Sequence, residues 1–348
     1  MEVDPVVYAK DQQRQDGLVI TAAVFTSISF VVVFLRSITR FILIRKAGWD
    51  DYLMLVAMVL SIGYFAEVLV GKANHIGHAI TTLTVDNMLN LIKVTLGIQL
   101  TYYGAISAIK ISILCMYLRF LASQKSRMLA YGTIGFHVVF FIICIAVTAS
   151  QCRPIHKMWD LDGSVEGTCV NTTAFFYFTS GFNIITDIWI LALPIKALVK
   201  INRPQKEKIA LILIFGVGTF ATITSIIRLH TIYTYTLAAD PFQQSILVNL
   251  WSVLEVNIAI ICASAPALKP LFTPKALKAA RESSNGSNSH KYSIGRSGYI
   301  RSKKSVDQTW TETSVTLGPV PYNSTEISAG GRREKEKDND STVDILPA

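Results

Sequence analysis

Lys110 and Asp187 stand inside two long apolar stretches of the chain, and Glu67, Arg228 and Glu255 stand inside others. An ionisable side chain near the middle of a bilayer costs about 2.5 to 3.5 kcal/mol on insertion scales, so such groups are expected to face a protein interior and to hold partners. Lys110 lies nine residues before Arg119, and Asp187 nine before Lys196. At about 1.5 Å per helical residue both sit roughly 13 Å from the same boundary, at equal depth and with opposite charge. Gln99, Tyr103, Ser107 and Lys110 recur at steps of three or four, as do Asn183 and Asp187, which places each set on one helix face. The pattern predicts an inward polar stripe holding an ion pair. That pair either fixes helix register or serves as a ligand counter-ion or proton-linked switch.

Glu67, Arg228 and Glu255 fall in the opposite half of their stretches, with Thr222 and Ser225 continuing the face of Arg228. They predict a vestibule that an external ligand enters, although Arg228 is also long enough to snorkel toward the interface. Asn257, two residues beyond Glu255, is rotated about 200° from it on an ideal helix and cannot share its face. His75 and His78, with His156 and His230, suggest at most a weak external metal or pH site, and surface histidines are the simpler reading. His137 stands by itself at mid-depth, so neither a catalytic set nor a metal site is expected. Asp50 and Asp51 read as helix-start residues that complement the helix dipole.

The elements that position these groups are seven apolar runs, at about 17–35, 51–70, 91–120, 128–149, 173–193, 208–230 and 245–268. A helix needs about 20 apolar residues to cross a hydrocarbon core of ~30 Å, so the fold class is an all-α membrane protein with a seven-helix transmembrane bundle. Residues 1–16 read as a short external segment, 269–281 as an amphipathic helix on the inner surface, and 282–348 as a disordered cytoplasmic tail. The first run, which lacks a small-residue cleavage site, reads as a signal anchor. Pro194 and Pro266, near the ends of the fifth and seventh runs, either end their helices or act as hinges.

A net charge of +9 would point to nucleic acid in a soluble protein, but here the basic residues cluster between apolar runs, where anionic lipid explains them. Arg36, Arg40, Arg45 and Lys46, then Arg119, Lys125 and Arg127, then Lys196, Lys200, Arg203, Lys206 and Lys208 mark alternate connections as cytoplasmic. The others hold only Lys72, then Arg153 and Lys157, then none between His230 and Ser245. The N-terminus is therefore expected outside and the C-terminus inside. Cys152 and Cys169 share an outer connection, while Cys115, Cys144 and Cys262 lie within runs, so a Cys152–Cys169 disulfide worth roughly 3 kcal/mol is expected. Asn171-Thr172-Thr173 is a glycosylation sequon in the same connection, close to the fifth run. The sequons at Asn285 and Asn323 fall in the tail and are expected to be silent.

The seventh run contains no lysine, which excludes a retinal Schiff base, and no cofactor is expected. The third run ends Tyr117-Leu118-Arg119-Phe120 and the seventh lacks Asn-Pro-x-x-Tyr, so the large animal receptor family is not matched. The chain resembles the fungal rhodopsin-like seven-helix integral membrane family. The resemblance rests on Trp49-Asp50-Asp51-Tyr52, His75, Gln99 with Tyr102 or Tyr103, and the run from Lys110 to Arg119. Cys152-Arg153-Pro154, Trp159-Asp160, Gly167, Cys169, Asn183, Asp187, Leu193-Pro194-Ile195, Arg228, Glu255 and Ala265-Pro266 continue it in order. Lys72-Ala73-Asn74 departs from the family's glycine-rich approach to His75.

The resemblance implies the plain type, without a cysteine-rich external domain. It implies a receptor-like sensor of a small-molecule or surface ligand, in the plasma membrane, with a cytoplasmic signalling partner and no enzymatic activity. Its alternative is a membrane protein of a secondary-metabolite gene cluster, acting in transport or as an accessory to the pathway.

Overall fold

The computed structural model describes residues 5–121, 123–199 and 205–268. The segments 269–281 and 282–348, the sequons at Asn285 and Asn323, and the side chains of Pro194 and of the basic residues from Lys196 to Lys208 lie outside that description. Among the described residues the chain forms seven long helices: α1 Pro5–Ser37, α2 Trp49–Ala73, α3 Val85–Phe120, α4 Gln124–Ala149, α5 Thr172–Val199, α6 Gln205–Thr236 and α7 Pro241–Leu268. Between α4 and α5, β1 Cys152–Arg153 pairs antiparallel with β2 Thr168–Cys169, Cys152 opposite Cys169. Six of the helices, α1 to α5 and α7, are long and apolar enough to cross a membrane.

Helices satisfy their own backbone hydrogen bonds, which hydrocarbon demands, so apolar side chains can face outward at no cost. Phe30, Phe34, Val59, Val139, Ile142, Ile143, Ile185 and Ile188 do so. Burial separates the helices: 56% of the apolar stretch of α3 and of α7 is enclosed by protein, against 22% of that of α4. The centre is therefore α3 with α7. Met54, Ala57 and Met58 of α2 pack there against Tyr102, Ile106 and Ile109 of α3 and Val256 and Ile260 of α7. Ala57 and Ala105, both fully enclosed, let these backbones approach closely. A second cluster joins Leu18 and Ala22 of α1, Tyr64 and Val68 of α2, and Ile246 and Val253 of α7.

Residues 1–16 do not stand apart as a separate segment, because α1 already begins at Pro5, a residue suited to a first helical position. Its polar first turns are packed. Gln15 Nε2 donates to the carbonyls of Lys72 and Ile76, both at 3.2 Å, and Asp11 accepts from Gln243 Nε2 at 2.9 Å. Lys72 lies 2.7 Å from Asp16 rather than free in a connection. Hydropathy stops at charged residues, whereas the helix continues wherever those charges find partners. The turn after α2 uses Gly77 at φ 83°, where an added Cβ would come 2.7 Å from Ile246 Cδ1. Only glycine fits there.

Arg36 and Arg40 are likewise not loop charges. α1 runs through Ser37 into a π-helical turn, Ile38–Leu43, and Arg36 is buried. Its Nε lies 3.0 Å from Asp51 Oδ1, its Nη2 2.8 Å from Asp50 Oδ2, and its Nη1 donates to the Ala263 carbonyl of α7 at 2.8 Å. Arg119 of α3 reaches Asp50 Oδ1 at 2.6 Å, and Ser112 donates to the Asp50 carbonyl at 2.6 Å. Asp51 does accept from the Gly48 amide at 3.1 Å, as a helix-start residue should. Both aspartates also neutralise arginines, buried Arg36 among them, a second role added to that at the helix start. Gly48 leaves room for the Arg119 guanidinium, which an added Cβ would displace.

This cluster ties α1, α2, α3 and α7 together. Replacing Arg36 takes from the buried aspartates their one fully enclosed partner and leaves them the more exposed Arg40 and Arg119, which costs about 3 to 5 kcal/mol. Arg36→Met is expected to lower the melting temperature of the detergent-purified protein sharply, and adding Asp51→Asn to recover part of the loss. An unchanged melting temperature in Arg36→Met would refute the role.

Candidate functional site

Four helices bring their ionisable residues into one buried chain. Lys110 of α3 lies 2.9 Å from Asp187 Oδ1 of α5 and donates to Thr186 Oγ1 at 2.8 Å, the Asn183 carbonyl at 3.0 Å and Asn183 Oδ1 at 3.2 Å. The ammonium thus has acceptors for all its protons in a site only 6% exposed. Asp187 Oδ2 accepts from Ser225 Oγ of α6 at 3.1 Å, and the same hydroxyl contacts Glu255 Oε1 of α7. Ser225 carries one proton, so it donates to one carboxylate at a time. Glu255 Oε2 in turn accepts from Tyr102 at 2.8 Å and lies 2.7 Å from Arg228 Nε. Arg228 stacks over the Tyr102 ring at 4.7 Å, a cation–π contact.

Arg228 does not snorkel; it is 5% exposed and faces inward. Glu67 is not part of its cluster. Half-buried between α2 and α3, Glu67 accepts from Thr101 Oγ1 at 2.7 Å. Gln99 accepts from Gln151 Nε2 at 2.6 Å, tying α3 to the α4–α5 connection, and Tyr103 shares a hydrogen bond of 3.2 Å with Thr179. Asn257 points to α1 and α2, accepting from Ser61 Oγ at 3.1 Å, away from Glu255. Reading spacing alone missed Ser225 as the joint between the two ion pairs and Tyr102 as a partner of Glu255. The signal for Ser225 was its place one turn before Arg228; that its neighbours would be carboxylates of α5 and α7 needed the fold.

Two cavities adjoin the chain. A small one, about 70 Å³, lies beside Lys110, Asp187, Ser225 and Glu255, with Pro266 of α7 in its wall. It has room for about two waters. A larger one, about 440 Å³, opens toward the disulfide end, in the size range of small-molecule sites. Tyr64, Gln99, Tyr102, Tyr103, Arg228 and Asn249 line it, and Gln151, Cys152, Lys157, Met158 and Cys169 form its roof. The Cys152–Cys169 disulfide closes that roof. Asn171 is exposed at the start of α5, where its Oδ1 caps the helix by accepting from the Ala174 amide at 3.0 Å.

His75 and His78 meet with ring centroids 5.3 Å apart, and the ring of Tyr8 of α1 lies tilted against His78 at 4.9 Å. His156 lies instead against Trp159. Among the described residues no three His, Cys, Asp or Glu side chains converge as a metal site would require. His78 is fully buried and neither ring nitrogen has a hydrogen-bond partner.

The fungal rhodopsin domain family matches residues 35–274, more than half of the chain. The chain belongs to this family. Receptor GIN3 of Arthrobotrys oligospora is 26% identical over 303 residues, covering 85% of this chain and 72% of that protein. A SAT4 family membrane protein of Emericella nidulans is 25% identical over 232 residues, 66% of this chain and 56% of its own length. The polyenoic acids biosynthesis gene cluster protein Ba17b of Metarhizium anisopliae is 24% identical over 263 residues, 72% of this chain and 71% of that one. No solved structure matches. The chain is thus a multi-pass membrane protein in contact with lipid. Within the family's domain lie the whole Lys110 to Arg228 chain and the disulfide, while the packed polar turns of α1, with Asp11 and Gln15, precede it.

Two expectations follow from this geometry. Lys110→Met leaves Asp187 in excess and should cost about 3 kcal/mol of stability, with Asp187→Asn restoring part of it. Melting temperatures of the two single variants and the double variant measure the coupling, and strictly additive losses would count against a mutually dependent pair. His78 gives a pH dependence. Burial holds its pKa below the ordinary histidine value, with His75 pushing the same way and Asp11 opposing. The folded protein therefore resists protonation that the unfolded chain accepts, so stability should fall as pH drops through about 6.5 and level off below the folded pKa. That slope should flatten in His78→Phe, read from melting temperatures between neutral and mildly acid pH.

Proposed function

We propose that this family member is a receptor-like sensor with seven membrane-spanning helices, α6 included, whose external ligand sits in the large cavity under the disulfide-closed roof. In this reading the N-terminus and the roof face outside, Asn171 carries a glycan, and the arginine–aspartate cluster of α1, α2 and α3 faces the cytoplasm. The plasma membrane is the location. The supporting observation is that the cavity floor is itself the charge chain: Arg228 and Tyr102 line the cavity and hold Glu255, which Ser225 joins to Asp187 and Lys110. A ligand that moves Arg228 therefore alters the pairing of α3, α5, α6 and α7 together. A receptor requires differential affinity between two arrangements, and Ser225, with one proton between two carboxylates, offers two.

Binding rather than catalysis fits the site, because its ionisable groups are engaged with one another. Without a lysine in α7 there is no Schiff base to retinal. A relative named as a receptor favours the sensor, and one named as a biosynthesis gene cluster protein favours a second reading, a carrier or accessory in secondary metabolism.

A bimane fluorophore on Lys125→Cys, at the exposed start of α4, reports the inner end of the bundle. Spent-medium extract from the host fungus is expected to change its emission in the native background and not with Tyr102→Phe and Glu255→Gln added. Accumulation of extract components by proteoliposomes, with no change at the fluorophore, would refute sensing and favour the carrier.

A further inference from the structure

The large cavity also carries information about its occupant. Among its described lining residues the charged side chains are Arg228 and Lys157, both cationic, and no carboxylate faces the space. Glu255 lies against Arg228 but does not line the cavity. Its pairing with Nε is off the hydrogen-bond axis, and the buried Nε and Nη2 of Arg228 have no hydrogen-bond acceptor. A guanidinium 95% buried and short of acceptors is costly unless something else satisfies it. Lys157, at the roof, is held 2.7 Å from the Gly167 carbonyl, an acceptor that leaves its charge unneutralised. Arg228, Glu255 and Lys157 together leave one positive charge beside the cavity.

Leu91, Ile98, Phe176, Ile232, Phe242 and Val248 give the wall an apolar part, beside uncharged polar groups such as Gln99, Ser245, Asn249 and Ser252. At 440 Å³ the space holds roughly fifteen water-sized groups. We propose that the cavity binds an amphipathic monocarboxylate, its carboxylate satisfying Arg228 and balancing Lys157, its chain or ring lying against the apolar part of the wall. One carboxylate matches the single excess charge. A guanidinium with an unused edge offers the planar donors that a carboxylate accepts. This inference rests on the cavity being the ligand site of the sensor proposed above.

Dodecanoate is of the right size and is the probe. The full chain in phosphatidylcholine nanodiscs is melted with increasing dodecanoate, methyl dodecanoate or dodecyl phosphate. Dodecanoate is expected to raise the melting temperature in a saturable way, as a ligand of the folded state must, and the methyl ester not to. In the double variant Arg228→Met with Glu255→Gln, which removes both charges so that neither is orphaned, affinity should fall about tenfold or more. Equal shifts by acid and ester, tighter binding of dodecyl phosphate than of dodecanoate, or unchanged affinity in the double variant would each overturn the proposal. Should the double variant not fold, Lys157→Met in the roof connection replaces it. That variant should weaken the acid several-fold and leave the ester unaffected, and an equal effect on both refutes the assignment. Failures of the two proposals separate. Dodecanoate bound with the Lys125→Cys fluorophore deaf to every extract sinks the sensor alone, while a fluorophore that answers extract in a protein that never binds dodecanoate sinks the carboxylate alone.

Discussion

A charge that leaves water for an apolar interior must take its counter-charge along, and this constraint orders the helices here. Hydrocarbon outside the bundle gives no reason for one helix to pack on another, since lipid tails are as apolar as leucine. Specific association has to come from close packing and from polar partners. Arg36 with Asp50, Asp51 and Arg119 draws α1, α2 and α3 together at one end, and its bond to the Ala263 carbonyl adds α7. Lys110 with Asp187, then Ser225, then Glu255 with Arg228, joins α3, α5, α6 and α7 in the middle. Buried ion pairs contribute little net stability against a well-packed apolar alternative, but leaving one member unpaired is expensive. They therefore disfavour helix arrangements that would leave one member unpaired.

The same economy of partners gives the cavity its character. Lys110 is surrounded by four acceptors, whereas Arg228 faces the larger cavity with donors to spare. The disulfide keeps the α4–α5 connection folded over that space, and Gln151 fastens the connection to Gln99 of α3. The roof is thus held at two points, and beneath it the cavity meets Arg228, whose pairing with Glu255 leads through Ser225 to Asp187 and Lys110.

Much of this was legible from residue spacing. The equal depth of Lys110 and Asp187 pointed to their contact, the two cysteines of one connection to their bond, and the 200° offset of Asn257 from Glu255 to its separate partners. Periodicity and depth carry such pairs because a helix is a rigid ruler with a fixed rise. The same ruler failed for Glu67, which shares depth with Arg228 but bonds to Thr101 on a different interface. Depth says how far along a helix a group lies and nothing about which neighbour it faces.

The sequence by itself determined the helices and which residues could not face lipid, since both follow from local apolarity and from the cost of stranding a charge. It also determined the family, through the order of motifs from Trp49 to Pro266. Only the tertiary structure decided how those charges are shared. It turned Arg36 from a loop charge into the centre of a cluster, extended α1 back to Pro5 through the partners of Asp11 and Gln15, made Ser225 the joint between two ion pairs, and left Arg228 facing the cavity. Those outcomes depend on contacts between helices far apart in the chain, where a side chain's partner is set by packing rather than by its position in a repeat.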